Sequence, residues 1–339
     1  MPSAWKRLRY RLEWFGLVLA TKLVPLLSRR ACFQLAQFLG ALISVLDGHG
    51  RKVALSNLEI ALPELSIAAR QKIARESFQH FARTMLDLLW SPRLTRANVS
   101  RYVEFENFEE IARTTGPERC FIMACYHYSN FEWVGIAGGY SGIVGTVLSQ
   151  EFKNELLGPV FKGLREGPGH EFVSRQRGIL RLYKALQRQR TIALLVDLTI
   201  PPRQGAVAID CFGLKTSVTS AHAWLHQRTG IPIIPTHCEP LPKGRYRIVF
   251  HPHIESTPAM THLQIAQACW DSFEPYLREH PAPWLWMYKH WRYRPSDADR
   301  PYPSYSHILE RFDVVLAKQR AAADTGSGST RPGEPLAHC

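Results

Sequence analysis

The stretch from Cys120 to Gly135, CFIMACYHYSNFEWVG, holds residue types suited to acid–base chemistry: an apolar strand, then His127, then a helix-like run from about Asn130 that carries Glu132. A neutral imidazole at a strand end can take a proton from an alcohol, while a carboxylate on its other ring nitrogen fixes the tautomer and stabilises the imidazolium. Along one continuous helix five residues turn about 500°, so His127 and Glu132 would point about 140° apart. They meet only if His127 lies on the loop before the helix, the strand-to-helix junction where open α/β sheets build their sites. Ser129 is not surrounded by a G-x-S-x-G elbow, which argues against a serine nucleophile. His222 and His226 stand four apart on an expected helix, but lack an H-E-x-x-H frame or an acid at ligand spacing, so no metal site is expected.

The elements that must position this pair are short apolar runs alternating with helical segments. Strands are expected at Phe121 to Cys125, Gly142 to Leu148, Ile192 to Val196, Ala206 to Phe212, Ile231 to His237 and Arg245 to Phe250. Helices are expected at Phe131 to Ala137, Gly178 to Gln189 and Ser217 to Gln227. From Ser66 to Trp90 the residues Phe78, Phe81, Met85 and Leu88 recur at helical spacing, with Ser66 as the N-cap. This alternation implies one α/β domain, about residues 49–315, with a mixed, mostly buried sheet flanked by helices.

Ahead of it, Lys6, Arg7, Arg9 and Arg11 precede two apolar stretches, Trp14 to Leu27 and Cys32 to Leu46. Each is short of the roughly 20 apolar residues that span a bilayer, and residues 1–48 are expected to form a basic amphipathic membrane anchor. A positive-inside bias then keeps the catalytic domain on the cytoplasmic face. From Ala321 to residue 339 the chain turns to Ala, Gly, Ser, Thr and Pro, the composition of a disordered tail.

A net charge of +13 and a pI near 9.6 favour anionic partners: nucleic acid, a membrane, an acidic carrier or a phosphorylated lipid. No recognition helix, stacking aromatic set or zinc module points to nucleic acid. The seven cysteines are scattered and form no C-x-x-C pair, which suits a reducing compartment. Arg175, Arg177, Arg181, Lys184, Arg188 and Arg190 cluster on and around one expected helix, and would suit an acidic carrier or lipid phosphates unless they are a solvated face. Trp284, Trp286 and Trp291 could line an acyl tunnel, sit at a membrane interface or pack in the core.

The string HYSNFE resembles the H-x-x-x-x-[DE] motif of the lysophospholipid acyltransferase superfamily, in the form used by its lipid A late-acyltransferase branch. Further similarities follow in order: RKVALSNLEIALPELS (Arg51 to Ser66), Arg165 with Gly169, KALQRQRTIALLVDLT (Lys184 to Thr199), GAVAIDCFGLKTSVTSA (Gly205 to Ala221), TGIPIIP (Thr229 to Pro235) and PAPWLWMYKHWRYRP (Pro281 to Pro295). The resemblance implies a glycerolipid acyltransferase-like fold at the bacterial inner membrane. It also implies direct acyl transfer, without a cofactor, from acyl carrier protein or coenzyme A to a hydroxyl of an anionic glycolipid. By it, His127 is the general base, Glu132 its orienting partner, and Arg165 binds phosphate or stabilises the oxyanion. Asp197 binds substrate or braces a basic residue, and Asn130, Gly213 and Thr219 are lesser substrate-binding candidates. Ser129 replaces a family glycine, and Tyr288 and His290 stand where the family has His and Arg.

Overall fold

The computed structural model describes residues 4–116, 119–149, 152–174, 177–203 and 205–324. Four helices lead: α1 (Ala4–Leu23), α2 (Arg29–Leu46), α3 (Gly48–Ala61) and α4 (Ile67–Trp90). There follow β1 (Val103–Glu106), α5 (Phe108–Thr115), β2 (Ile122–Cys125), α6 (Phe131–Tyr140), β3 (Gly145–Ser149), α7 (Leu157–Glu166), β4 (Glu171–Ser174), α8 (Gly178–Gln187) and β5 (Thr191–Leu195). A hairpin of β6 (Ala206–Cys211) and β7 (Leu214–Thr219) leads to α9 (Ala221–Thr229), β8 (Ile233–Leu241) and β9 (Arg245–Phe250). The chain closes with α10 (His262–Asp271), α11 (Glu274–Glu279), β10 (Tyr293–Arg294), β11 (His307–Ile308) and α12 (Glu310–Asp324).

Seven strands form one sheet in the order β1-β9-β8-β2-β5-β3-β4, parallel except where β8 and β9 pair as a hairpin. This is the mixed α/β domain expected from the sequence. Its central strand β2, Ile-Met-Ala-Cys, is buried on both faces, as a continuous apolar run in a parallel sheet should be. Parallel strands are joined almost always by right-handed crossovers, and this sets the layers. The chain leaves β2 through α6 to β3 and through α7 to β4, then turns back through α8 to β5, which inserts between β2 and β3. That reversal puts α8 on the opposite face from α6 and α7. The two buried clusters agree: α8 contributes Ile179, Leu182 and Leu186 to one, and α6 contributes Trp133, Val134 and Ile136 to the other.

Several expected boundaries shift. The run expected to be helical from Ser217 begins as β7, because Thr216, Ser217 and Val218 alternate along a ladder with β6 before Ala221 starts α9. Strands β1 and β4 carry Glu104, Glu106 and Glu171 among their apolar residues, and sequence reasoning passed over them. Ser66 caps α4 as expected, its Oγ accepting the Ala69 amide. Ala321 to Asp324, expected at the head of a disordered tail, form the last turn of α12, which docks through Phe312 and Leu316 against Ala208. The remainder of that tail, 325–339, and Arg175 lie outside the described residues.

The amino-terminal helices divide into two kinds of surface. α2 packs on α4 through Cys32, Ala36, Gly40 and Ser44, spaced four apart, and a Cβ at Gly40 would collide with the Gln79 backbone. α1 buries none of its residues: Trp5, Leu8, Leu12, Phe15, Leu19 and Leu23 form an exposed apolar stripe at helical spacing. No single helix among the described residues is long and apolar enough to cross a membrane, although the bent pair α2 and α3 passes by length and composition.

A buried ionic centre ties these layers together. Asp87 of α4 accepts from Arg29 at the start of α2, from the Tyr246 hydroxyl of β9 and from Asn130 Nδ2 at the start of α6. Removing one partner of such a centre strands a buried charge. Asp87→Ala is expected to destabilise the fold by about 3 to 5 kcal/mol, read as a lowered urea midpoint. An unchanged midpoint would contradict this role.

Burial also sets the acid stability. His222 and His290 are enclosed, and desolvation pushes their pKa values down to about 3 and about 4. In the unfolded chain both return to about 6.5, so below that pH the unfolded state binds more protons. Stability should therefore be level above about pH 6.5 and fall progressively towards pH 4, as urea midpoints across that range would show.

Candidate active site

His127 and Asp197 each lie two residues beyond the carboxyl end of neighbouring parallel strands. β2 and β5 pair with Cys125 opposite Leu195, and the Val196 amide donates to the Cys125 carbonyl, so the two chains leave the sheet in register. The consequence is direct contact: His127 Nδ1 lies 2.8 Å from Asp197 Oδ1, and the His127 amide donates to Asp197 Oδ2 at 2.9 Å. Trp284 Nε1 donates to the same Oδ2 at 2.9 Å.

These contacts fix the charge state. Burial opposes ionisation of Asp197, but the His127 imidazole, its hydrogen bond, the Trp284 donor and nearby His290 outweigh it and hold the carboxyl below the usual carboxylate range. An ionised Asp197 accepts from Nδ1, so that in the neutral imidazole the lone pair is on Nε2. The imidazole is partly accessible, its ring set edge-on to Phe131 with centroids 4.9 Å apart.

Glu132 bonds Arg165 and not His127, contrary to the orienting role that the resemblance implies. It stands in the first turn of α6, where a carboxylate favours the helix dipole, and faces α7. There Arg165 grips it with a two-pronged fork, Nε to Oε2 at 2.8 Å and Nη2 to Oε1 at 2.5 Å. The Arg165 guanidinium also lies 5.3 Å from the centroid of the Phe161 ring. The two acids thus have different partners, Asp197 holding His127 and Glu132 holding Arg165.

His127, Glu132 and Arg165 share the wall of one cleft of about 510 Å³, within the range of small-molecule sites. The rest of the lining is mainly apolar, including Met123, Val134, Val147, Phe172 and Leu195. His170 sits in this wall, its Nδ1 accepting the Gly145 amide and its Nε2 meeting the Gly135 carbonyl, so it pins α6 to β3.

The lesser candidates lie elsewhere. Asn130 is fully enclosed, capping α6 through the Trp133 amide and donating to Asp87, so it holds the helix rather than a ligand. Gly213 occupies the two-residue turn between β6 and β7, where Phe212 and Gly213 both have positive φ, 54° and 76°; the turn demands glycine there. Thr219 ends β7, and its hydroxyl accepts the Ala221 amide. Neither lines the His127 cleft. Trp284, Trp286 and Trp291 are fully buried in the core, not in the cleft wall. Tyr288 donates to the Thr199 carbonyl and His290 stacks on Trp284, centroids 3.8 Å apart. The closing tryptophan segment therefore braces the loop that carries Asp197, a function that its sequence did not reveal.

Ser129 explains itself by its backbone. Its φ is +49°, a left-handed conformation that suits glycine, and its buried Oγ has the weak Cys238 thiol beside it and no conventional partner among the described residues. Ser129→Gly should stabilise the fold by about 1 kcal/mol, measured by thermal unfolding. A loss of similar size would show that the hydroxyl is needed.

The model of a family described as bacterial lipid A biosynthesis acyltransferase matches residues 3–293. The chain is 21% identical over 301 residues to the lipid A biosynthesis lauroyltransferase of Escherichia coli (strain K12), covering 87% of this chain and 95% of that protein. It is 22% identical over 293 residues to the lipid A biosynthesis palmitoleoyltransferase of the same strain, covering 85% and 93%. To the phosphatidylinositol mannoside acyltransferase of Mycobacterium tuberculosis (strain ATCC 25618 / H37Rv) it is 26% identical over 174 residues, covering 50% and 54%.

Proposed function

The chain belongs to the bacterial lipid A biosynthesis acyltransferase family, and from that premise we propose that it moves a fatty acyl group from a carrier thioester to a hydroxyl of an anionic glycolipid such as a lipid A precursor. The donor is an acyl carrier protein or coenzyme A thioester. The observation that carries the reading is the His127–Asp197 pair at the wall of an apolar cleft. The acyl chain lies in the cleft, where each buried methylene contributes about 0.8 kcal/mol.

His127 Nε2 removes the proton of the acceptor hydroxyl as its oxygen attacks the thioester carbonyl. Asp197 holds the imidazolium that forms. Arg165, its Nε and Nη2 engaged by Glu132, offers Nη1 to the developing oxyanion or to a substrate phosphate. The tetrahedral intermediate collapses, the C–S bond breaks, and the imidazolium returns its proton to the leaving thiolate.

The amphipathic stripe of α1, flanked by Lys6, Arg7, Arg9 and Arg11, supports a place on the cytoplasmic face of the bacterial inner membrane, with residues 1–48 as the anchoring segment. The packing of α2 on α4 makes this segment continuous with the acyltransferase domain rather than a detachable tether.

The test is mass spectrometry of glycolipid acceptors incubated with the purified full-length protein and each donor. The mass of one acyl group added to a lipid A precursor supports the reading. Absence of transfer from both donors would overturn it. A second acceptor, a mannosylated phosphoinositide, is favoured by the 26% identity to the mannoside acyltransferase, and inclusion of that lipid decides between them.

A further inference from the structure

One charged surface has no part in the site so far. On α8 the cations Arg181 and Lys184 stand three apart on one face of the helix, with Arg177 and Arg188 as the residues that flank its two ends. All four are exposed, and none makes an ion pair among the described residues, whereas neighbouring Arg190 is paired with Glu171. Leu180, one turn before Lys184 on the same helix, is an apolar side chain left about half exposed. The opposite face of α8 is buried through Ile179, Leu182, Ala185 and Leu186.

The place of this stripe in the fold is informative. α8 begins directly after the carboxyl end of β4, at the same sheet edge as His127, and Gly178 packs so tightly on Leu148 that a Cβ would clash with it. Leu148 lines the cleft, so the stripe starts beside the cleft and runs away from it. It also lies across the sheet from the layer that holds α2 and α6, and so is turned away from the apolar stripe of α1. A bilayer engaging α1 leaves α8 facing the aqueous side.

We propose that this face of α8 docks an acidic soluble protein that carries the acyl thioester and hands its acyl chain into the cleft. The inference rests on the acyltransferase reading above. Four exposed cations beside an exposed apolar residue match a small acidic partner that also offers an apolar contact, and such a match raises the rate of encounter more than it changes the chemistry.

The experiment uses the full-length protein in detergent with two donors, acyl carrier protein thioester and acyl coenzyme A, and the variant Arg177→Glu/Arg181→Glu/Lys184→Glu/Arg188→Glu. The expected result is a rise of about tenfold or more in KM for the acyl carrier protein donor, with its kcat retained and its salt dependence lost. Turnover of acyl coenzyme A should stay within about twofold by the same reasoning that rim charges act on encounter. Neutral Arg→Gln and Lys→Gln replacements at the four positions should give an intermediate KM. A KM for the carrier donor that does not move, or equal losses with both donors, would overturn the docking face. So would release of the variant from vesicles of anionic phospholipid that retain the wild type, since the stripe would then be a membrane contact. Wild-type transfer from coenzyme A alone sinks this proposal and spares the acyltransferase reading; transfer from neither donor sinks both.

Discussion

His127→Ala lowers acyl transfer by about 100- to 10,000-fold, the contribution typical of a positioned general base, while leaving the fold and donor affinity near wild type. The reason is local. The imidazole stands on the loop beyond β2, and its contacts are the Asp197 carboxylate and the edge of the Phe131 ring rather than the main buried clusters. Its loss therefore removes the proton acceptor without opening a cavity in the core. Initial rates of product glycolipid formation, with circular dichroism as the control on folding, check the prediction. Wild-type rates in a folded His127→Ala protein would remove the imidazole from the mechanism.

The second large effect separates the two carboxylates. Asp197→Asn is expected to lower kcat by about 10³- to 10⁴-fold, because an amide in that place can donate to Nδ1 and so reverse the tautomer, leaving Nε2 protonated and useless as a base. Glu132→Gln should cost less, about 10- to 100-fold. It acts through Arg165, whose charge-assisted fork contributes about 1.5 to 3 kcal/mol, and so is felt in KM as well as kcat. The split is informative because the resemblance implies the opposite ranking. Should Glu132→Gln prove the more damaging in kcat, with Asp197→Asn mild, the assignment of the orienting acid would revert to position 132.

The mixed α/β class, the α4 helix with its Ser66 cap and the strand before His127 were legible in the sequence, because apolar runs and periodicity are local signals. So was the placement of His127 on a strand-to-helix loop, since the apolar run ends at Cys125 and the helical run begins only near Asn130. The partnership with Asp197 was not. β2 and β5 are adjacent in space but separated in the chain by β3, β4 and three helices, and the insertion of β5 between β2 and β3 is a fact of topology that no local pattern records. The resemblance offers Asp197 as a substrate binder or the brace of a basic residue without saying which residue, and both strands end in short polar turns, HYSN and DLT, at matching distances from their apolar runs. The same limit applies to Asp87, whose partners Arg29, Asn130 and Tyr246 come from three distant elements. Gly213 shows the opposite error: a glycine that fits a motif was assigned to substrate when its backbone angle explains it.

The central claim is that Asp197 holds His127 with its proton on Nδ1, so that Nε2 is the base. Nitrogen-15 NMR of histidine-labelled full-length protein near pH 8 tests it directly, the His127 signals being assigned by their absence from the His127→Ala spectrum. The account predicts a protonated Nδ1 and a bare Nε2 in the wild type, reversed in Asp197→Asn. A wild-type His127 carrying its proton on Nε2 would contradict it.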